Sequence, residues 1–164
     1  MAYVESGVYV EGLNAMVAGL TAMSSEATQE IQALNRKVGI MVRDEAKTNL
    51  AQTLIPGTKS QGDLEGTIRY SKGLYGAFIY AGDSSVPYAN VQNWGWFYDR
   101  KNFYNKNIKP KQFINKAAAK VRKEVQKFYI EELIQIYEKY SGKTGNVKVN
   151  DFSVKSPTVG RRYE

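Results

Sequence analysis

The side chains that carry out most acid-base and nucleophilic chemistry in enzymes are missing from this sequence of 164 residues, which has no histidine and no cysteine. Disulfides, thiolate nucleophiles, zinc-finger spacings and histidine-based proton transfer are therefore excluded. Proton transfer would fall to Asp, Glu, Lys or Tyr, and the 12 tyrosines are scattered over predicted strands, loops and the last helix. This scatter indicates that the tyrosines serve in core packing and in interfaces. We therefore expect that the protein is not an enzyme and that it binds no metal or cofactor.

Two local patterns come closest to reactive sites. Gly57–Gly62 has the glycines and the lysine of a phosphate-binding loop, but Asp63 follows the second glycine where that loop requires Lys-Ser/Thr. The acid pairs Asp44-Glu45 and Glu131-Glu132 fall in predicted helices, where neighbouring side chains point about 100° apart. Neither pair converges on one reacting atom, so we interpret both as solvated helix charges.

Positive charge is concentrated in one stretch of the chain. The net charge is +7, yet the residues from Arg100 to Lys127 include ten basic side chains and one acid, Glu124. A local excess of this size indicates an anionic partner such as DNA or an acidic protein face, or else a solvated helix face and loop. The cations that we expect to face DNA or a channel are Arg100, Lys101, Lys106, Lys109, Lys111, Lys116, Lys120 and Lys123.

Aromatic side chains accompany these cations. A surface with aromatic anchors and a basic rim is typical of protein interfaces, and we expect partner contacts there. Two alternatives stay open: base stacking on single-stranded nucleic acid, and simple core packing. The candidate interface residues are Tyr88, Trp94, Trp96, Phe97, Tyr98, Phe103 and Tyr104.

Apolar periodicity predicts two long helices. From Glu26 to about Leu50 apolar residues recur at steps of three and four, after a serine suited to cap the helix. A second helix is predicted from about Lys111 to Tyr140, entered after Pro110 and ended by Ser141-Gly142. Leu13–Met23 is a candidate for a shorter helix.

A β-hairpin is predicted between the long helices. Its strands are Thr67–Ser71 and Leu74–Ala81, joined by a tight turn at Lys72-Gly73. Large side chains fall on both faces of the second strand, which favours a helix on one face and a partner on the other. Pro87–Trp94 is expected to begin a short helix.

The other segments are predicted to be loops and arms. Leu54–Gly66 and Asp99–Lys109 lack apolar periodicity, so we expect two long flexible loops. Tyr3–Val10 suits a short strand, and the near alternation of Val147, Val149, Phe152 and Val154 favours a strand on a partner.

Together these elements predict one α+β domain over residues 1–141, with two long helices packed on a small antiparallel sheet. Residues 142–164 are expected to form a C-terminal extension that acts as an interaction arm. The sequence has no run of about 18 apolar residues and no signal-peptide pattern near Met1, so we expect no membrane partner.

Short phrases add a resemblance to this interpretation. The first long helix ends in Val-x-x-x-Ala-Lys-x-x at Val42–Asn49. Pro56 follows it, and after Pro56 comes Gly-x-Leu-x-x-Thr-Ile at Gly62–Ile68. Pro87–Ala89 and Gln92–Gly95 follow the hairpin. In this order the phrases resemble the head-tail joining and tail-completion family of siphophage morphogenesis proteins, over Glu11–Tyr140.

The match has three departures, and the first is Thr67, which stands where the family phrase Gly-x-Leu-x-x-Ser-Ile has serine. The family shows an acid in the phrase that is Gln92–Gly95 here, and its last helix begins Pro-x-Phe-(Ile/Leu)-x-x-Ala. This chain has one extra residue between Pro110 and Phe113, and then Ile114 and Ala117 fit the pattern.

The resemblance implies a structural virion protein of the phage neck or tail, assembled in the bacterial cytoplasm as a homo-oligomeric ring of roughly six or twelve copies. Its expected partners are neighbouring neck, tail-terminator or tail-tube proteins and packaged DNA in the channel. The loops at 52–66 and 97–109 would order on docking. The alternative function is non-specific nucleic-acid binding by the basic aromatic region 94–127.

Overall fold

A computed structural model describes residues 9–10, 13–53, 59–95, 109–142 and 154–155. The fold class is α+β, as predicted, with two helices of 29 residues each and an antiparallel hairpin. The elements are β1 (Tyr9–Val10), α1 (Leu13–Met23), α2 (Ser25–Thr53), α3 (Lys59–Gly66), β2 (Arg69–Lys72), β3 (Ala77–Tyr80), α4 (Ala89–Trp94), α5 (Phe113–Ser141) and β4 (Val154–Lys155).

Ser24 alone separates α1 from α2. Its backbone N–H donates to the Leu20 carbonyl at the end of α1, at 3.2 Å. Its hydroxyl accepts the backbone N–H of Glu26 at 3.1 Å, so it caps α2 as the sequence predicts. One residue therefore ends one helix and begins the next.

The predicted loop at Leu54–Gly66 is wrong in its second half, because α3 occupies Lys59–Gly66. Leu64 supplies the reason: its side chain is fully buried in the apolar cluster that contains Leu50 and Phe113. One well-placed leucine anchors a segment that is otherwise polar, and such an anchor leaves no periodic pattern. Residues 54–58 lie outside the described part of the chain.

The described residues divide into two compact units. Unit 1 takes those within 1–35, 73–76 and 122–164, and unit 2 takes those within 36–72 and 77–121. Each unit has its own buried apolar side chains. Those of unit 1 are Val17, Leu20, Ala27, Ile31, Leu34, Val125, Tyr129, Ile130, Leu133 and Ile136. Those of unit 2 are Ala46, Leu50, Leu64, Ile68, Val86, Ala89, Phe113 and Ala117.

In unit 1 a polar contact joins the first turns of α2 to the last turn of α5. The Glu30 carboxylate accepts hydrogen bonds from the Lys139 ammonium and, at 3.0 Å, from the Tyr140 hydroxyl. The Lys139 hydrogen bond, with a smaller contribution from Tyr140, holds the pKa of Glu30 below its usual value. Unit 1 also contains the pairing of β1 with β4, in which Tyr9 is opposite Lys155 and Val10 opposite Val154.

The outer segments were predicted as a strand at Tyr3–Val10 and a C-terminal arm that reaches a partner. In the described part, Tyr9–Val10 is a strand, and Val154–Lys155 pairs with it inside the same chain. The rest of both segments, including Val147, Val149 and Phe152, lies outside the described residues. None of the helices that the structure describes has the length and apolarity needed to cross a membrane.

Tyr129 in unit 1 is buried, and its hydroxyl has no hydrogen-bond partner within the described residues. Burial raises the pKa of Tyr129 to about 12 from an ordinary value of 10.0. Because the unfolded chain loses this proton first, folding stability should fall as pH rises from about 10 towards 12.

We expect Tyr129→Phe to raise the free energy of unfolding by about 0.5–1 kcal/mol at neutral pH, since the unpaired hydroxyl is removed. The substitution should also weaken the loss of stability at alkaline pH. Urea unfolding at neutral and alkaline pH measures both effects, with the exposed Tyr75→Phe as the control. A loss of stability in Tyr129→Phe at neutral pH would contradict the expectation.

Candidate functional site

The β2–β3 hairpin has one face packed on α2. Tyr70 pairs with Ile79, and Lys72 with Ala77, so these residues share the inner face. A Cβ added at Gly39 of α2 would lie 2.9 Å from Cδ2 of Tyr70 and 3.1 Å from Cβ of Ala77. The missing side chain at Gly39 therefore lets the helix approach the sheet closely. The prediction of a helix against one face of the second strand is confirmed.

The outer face of the hairpin is open to solvent and partly aromatic. Phe78 is 54% exposed, and Tyr80 next to it on the same strand face is half-buried. Ser71 lies opposite Phe78, and its hydroxyl is 3.4 Å from the Tyr80 hydroxyl. Arg69, opposite Tyr80, donates to the Gly82 carbonyl at 3.4 Å. We call Arg69, Ser71, Phe78 and Tyr80 the outer hairpin face.

Neither edge of this hairpin pairs with a third strand among the residues that the structure describes. In the described ranges β2 and β3 form hydrogen-bonded ladders with each other and with no further strand. Unpaired strand edges present rows of backbone donors and acceptors, which natural proteins normally cover or blunt. The outer hairpin face and the two edges together are able to accept an additional strand or a packed aromatic surface.

The hairpin turn differs from its prediction. A tight turn at Lys72-Gly73 was expected. Instead β2 ends at Lys72 and β3 begins at Ala77, so that a loop of four residues connects them. The backbone N–H of Gly73 donates to the Gly76 carbonyl at 2.8 Å and closes this loop. Leu74 and Tyr75 therefore lie in the turn and not in the second strand.

A buried asparagine of α2 holds the loop. The Asn35 side-chain amide donates to the carbonyls of Gly73 and Leu74, at 2.8 and 2.9 Å. Asn35 is fully buried, and all three residues belong to unit 1. The prediction did not single it out, although a polar residue beside Leu34 on the apolar face of a helix was the available signal.

A second buried asparagine sets the start of α5. Asn93, at the end of α4, accepts the backbone N–H of Ile114 at 3.2 Å through its side-chain oxygen. Its backbone carbonyl accepts the N–H of Gln112 at 2.9 Å. Gln112 has a φ of +53°, a conformation that non-glycine residues rarely adopt. The structure thus places a residue with a positive φ just before the last helix, held by its hydrogen bond to Asn93.

Of the predicted interface aromatics, Tyr88 and Trp94 lie within the described residues. Tyr88 is half-buried and packs against the apolar cluster of unit 2, so part of its surface serves the core. Trp94 ends α4 and is also half-buried. The predictions for Trp96, Phe97, Tyr98, Phe103 and Tyr104 lie outside the described residues. The structure therefore brings Tyr88 and Trp94 to unit 2 but does not make either a freely exposed ring.

The predicted cations differ in exposure. Lys109, Lys116, Lys120 and Lys123 are exposed, whereas Lys111 is partly buried. Burial lowers the pKa of the Lys111 ammonium. Arg100, Lys101 and Lys106 lie outside the described residues.

At least three of the four acids in the predicted pairs form ion pairs with lysine or arginine side chains of the helices. Asp44 lies 2.7 Å from the Arg43 guanidinium, and Glu131 lies 4.0 Å from the Lys127 ammonium. Glu45 departs from the expectation of a solvated charge: its side chain is only 16% exposed, and its carboxylate lies 2.8 Å from Nζ of Lys120. The reason is its position on α2 facing α5 within unit 2.

Comparisons of the chain with models of protein families, with curated proteins and with solved structures each found no match.

Proposed function

We propose that this protein is a structural subunit at the neck or tail end of a tailed-phage particle. It would act by binding copies of itself in a ring and by joining them to neighbouring neck, tail-terminator or tail-tube proteins. The phrases at Val42–Asn49, Gly62–Ile68 and Pro87–Ala89 support the family, and the family implies the virion location. In this proposal the protein acts by forming subunit interfaces and not by catalysing a reaction.

The observation that carries the contact role is the exposed hairpin. Phe78 presents 54% of its surface to solvent on a sheet of two strands whose edges are unpaired within the described residues. Burying a phenylalanine side chain is favourable by about 1.5–3 kcal/mol, so this exposed ring favours association. A head-to-tail contact that uses the hairpin of one copy against a different surface of the next closes into a ring when the rotation allows it.

Native mass spectrometry of the purified chain tests self-assembly. We expect an oligomer larger than a dimer, and we expect Phe78→Ser to raise its dissociation constant by about tenfold or more, since about 1.4 kcal/mol of contact is lost. Met23→Ser is the matched control, because Met23 is 56% exposed but lies in unit 1 and outside the hairpin. A monomer at every concentration would contradict self-assembly.

The virion location needs a separate measurement. Mass spectrometry of purified phage particles should detect the chain at several copies per particle, because a ring contributes one full set of subunits. Particles that assemble and infect normally without it would overturn the neck or tail assignment. They would leave the oligomer measurement standing, so the two parts of the proposal can fail independently.

A further inference from the structure

Charge is divided unequally between the two units. Within its described residues, unit 2 has eleven Lys or Arg and five Asp or Glu, a net charge of +6. The described residues of unit 1 have five Lys or Arg and six Asp or Glu, a net charge of −1. The net positive charge of the described residues therefore lies in unit 2.

The start of α5 concentrates this charge. In the described parts of the chain no acid occurs between Asp83 and Glu124, while Lys109, Lys116 and Lys120 of unit 2 are exposed. Lys116 and Lys120 are four residues apart, so they lie on one face of α5, about 6 Å from each other along its axis. That separation is of the same order as the spacing of charges along a nucleic-acid strand.

Little of this charge is neutralised by neighbouring acids. Lys109 and Lys116 form no ion pair with the residues that the structure describes. Lys120 pairs with Glu45, but the lysine side chain is 61% exposed and the glutamate only 16%. An approaching partner would therefore meet the ammonium groups and not the carboxylate.

Whether exposed aromatic rings accompany these lysines bears on the choice between single-stranded and double-stranded nucleic acid. Binding of single strands relies on exposed rings on which bases stack. In the described part of unit 2 the candidate rings, Tyr88 and Trp94, are half-buried, and Tyr88 packs against the core cluster. Phe78 of unit 2 is exposed, but it belongs to the outer hairpin face and not to the segment that carries these lysines. Among the described residues this segment therefore offers ammonium groups, which favours contact with the phosphates of a duplex because such contact requires no access to the bases.

We propose that unit 2 binds the phosphate backbone of double-stranded DNA through Lys109, Lys116 and Lys120, without reading its sequence. Each lysine places one ammonium group near a phosphate and displaces a condensed counterion. Glu45 limits the contribution of Lys120, so removing this carboxylate strengthens the interaction. The inference goes beyond the virion role and does not depend on it.

Fluorescence anisotropy with a labelled duplex of mixed sequence, at salt concentrations from about 50 to about 200 mM, tests the proposal. Lys116→Gln should weaken binding and reduce the slope of log K against log salt by about 0.9, the value for one lost phosphate contact. Glu45→Gln should strengthen binding and increase the slope by up to about 0.9. Lys120→Gln should lower affinity and cancel the gain in the double variant with Glu45→Gln.

Unit 1 offers matched controls with the same change in net charge. Lys139→Gln and Glu131→Gln alter an exposed lysine and an exposed glutamate of α5 in unit 1, nineteen and eleven residues after Lys120. At a rise of about 1.5 Å per residue these positions lie beyond the roughly 8–10 Å over which exposed charges are screened, so both substitutions should change affinity and slope much less than the unit 2 substitutions. Circular dichroism of each variant checks that the fold is retained.

Three results would overturn the proposal. The first is no binding to the duplex at low salt, which would leave an acidic protein surface as the partner of these lysines. The second is an equal effect of the unit 1 and unit 2 substitutions. The third is tighter binding of a single strand of equal length with little salt dependence, which would favour base stacking. Native mass spectrometry of the same variants reports assembly separately from DNA binding.

Discussion

Gly82→Ala is expected to lower the free energy of unfolding by about 3 kcal/mol or more, through two costs at one position. Gly82 has a φ of +87°, a conformation that residues with a Cβ rarely adopt. An added Cβ would lie 2.5 Å from Cβ of Ala89 and 2.9 Å from the Val86 carbonyl oxygen. Both neighbours are buried in the core of unit 2, so neither can move away cheaply.

The backbone at Gly82 is also fixed by a hydrogen bond. Its N–H donates to the Thr67 hydroxyl at 2.9 Å, and that hydroxyl donates to the Leu64 carbonyl at 2.7 Å. A shift that relieved the clash would break this buried connection between the end of α3 and the segment after β3. The two costs therefore add instead of compensating each other.

Urea unfolding followed by circular dichroism measures the loss. Gly19→Ala is the control, because Gly19 is an exposed residue inside α1 where an added Cβ would meet no neighbouring atom within 4 Å. That change should stabilise the protein by about 0.5–1 kcal/mol, the helix preference of alanine over glycine. A Gly82→Ala variant as stable as the wild type would show that the backbone at Gly82 does not need a positive φ.

Asn35→Ala is expected to cost about 2–4 kcal/mol of folding free energy. The substitution removes the two N–H groups that bond the Gly73 and Leu74 carbonyls, at 2.8 and 2.9 Å. It also leaves a small cavity beside a fully buried position of α2. Backbone amides of the hairpin loop should then exchange hydrogen faster, because the loop loses its anchor on the helix.

Unfolding in urea and amide hydrogen exchange of the loop test this expectation together. Asn14→Ala is the control, because Asn14 is exposed on α1 and should change stability by no more than about 0.5 kcal/mol. Equal stability of Asn35→Ala and Asn14→Ala would show that the loop is not held by the asparagine amide. Unchanged exchange with lowered stability would point to a packing role for Asn35.

The long helices could be predicted because their signals are local and repeated. Apolar steps of three and four from Ala27 to Leu50 and from Phe113 to Ile136 each involve many residues, so one misplaced residue does not obscure them. A serine cap before the acidic first turn of α2 was predicted, and the structure shows that this cap is Ser24 and not Ser25. The short helix that ends at Trp94 had a similar local signal in Pro87.

The candidate site was predicted less completely, because its positioning residues act over long sequence separations. Asn35 bonds a loop 38 residues away, and Asn93 bonds the start of a helix 21 residues away. Neither contact follows from spacing, since it requires two elements to be packed first. The tight turn at Lys72-Gly73 was wrong for the same reason: the amide of Asn35 supports a longer loop that local turn preference does not favour.

The sequence by itself determined the α+β class, the two long helices, the hairpin between them and the concentration of basic residues near the start of α5. These features follow from composition and short-range periodicity, which each segment carries within itself. Tertiary structure decided that Lys59–Gly66 is helical, that Phe78 faces solvent, and that Glu45 is shielded beside Lys120. Each of these outcomes depends on which distant residues bury a side chain, and burial is a property of the packed fold and not of the segment.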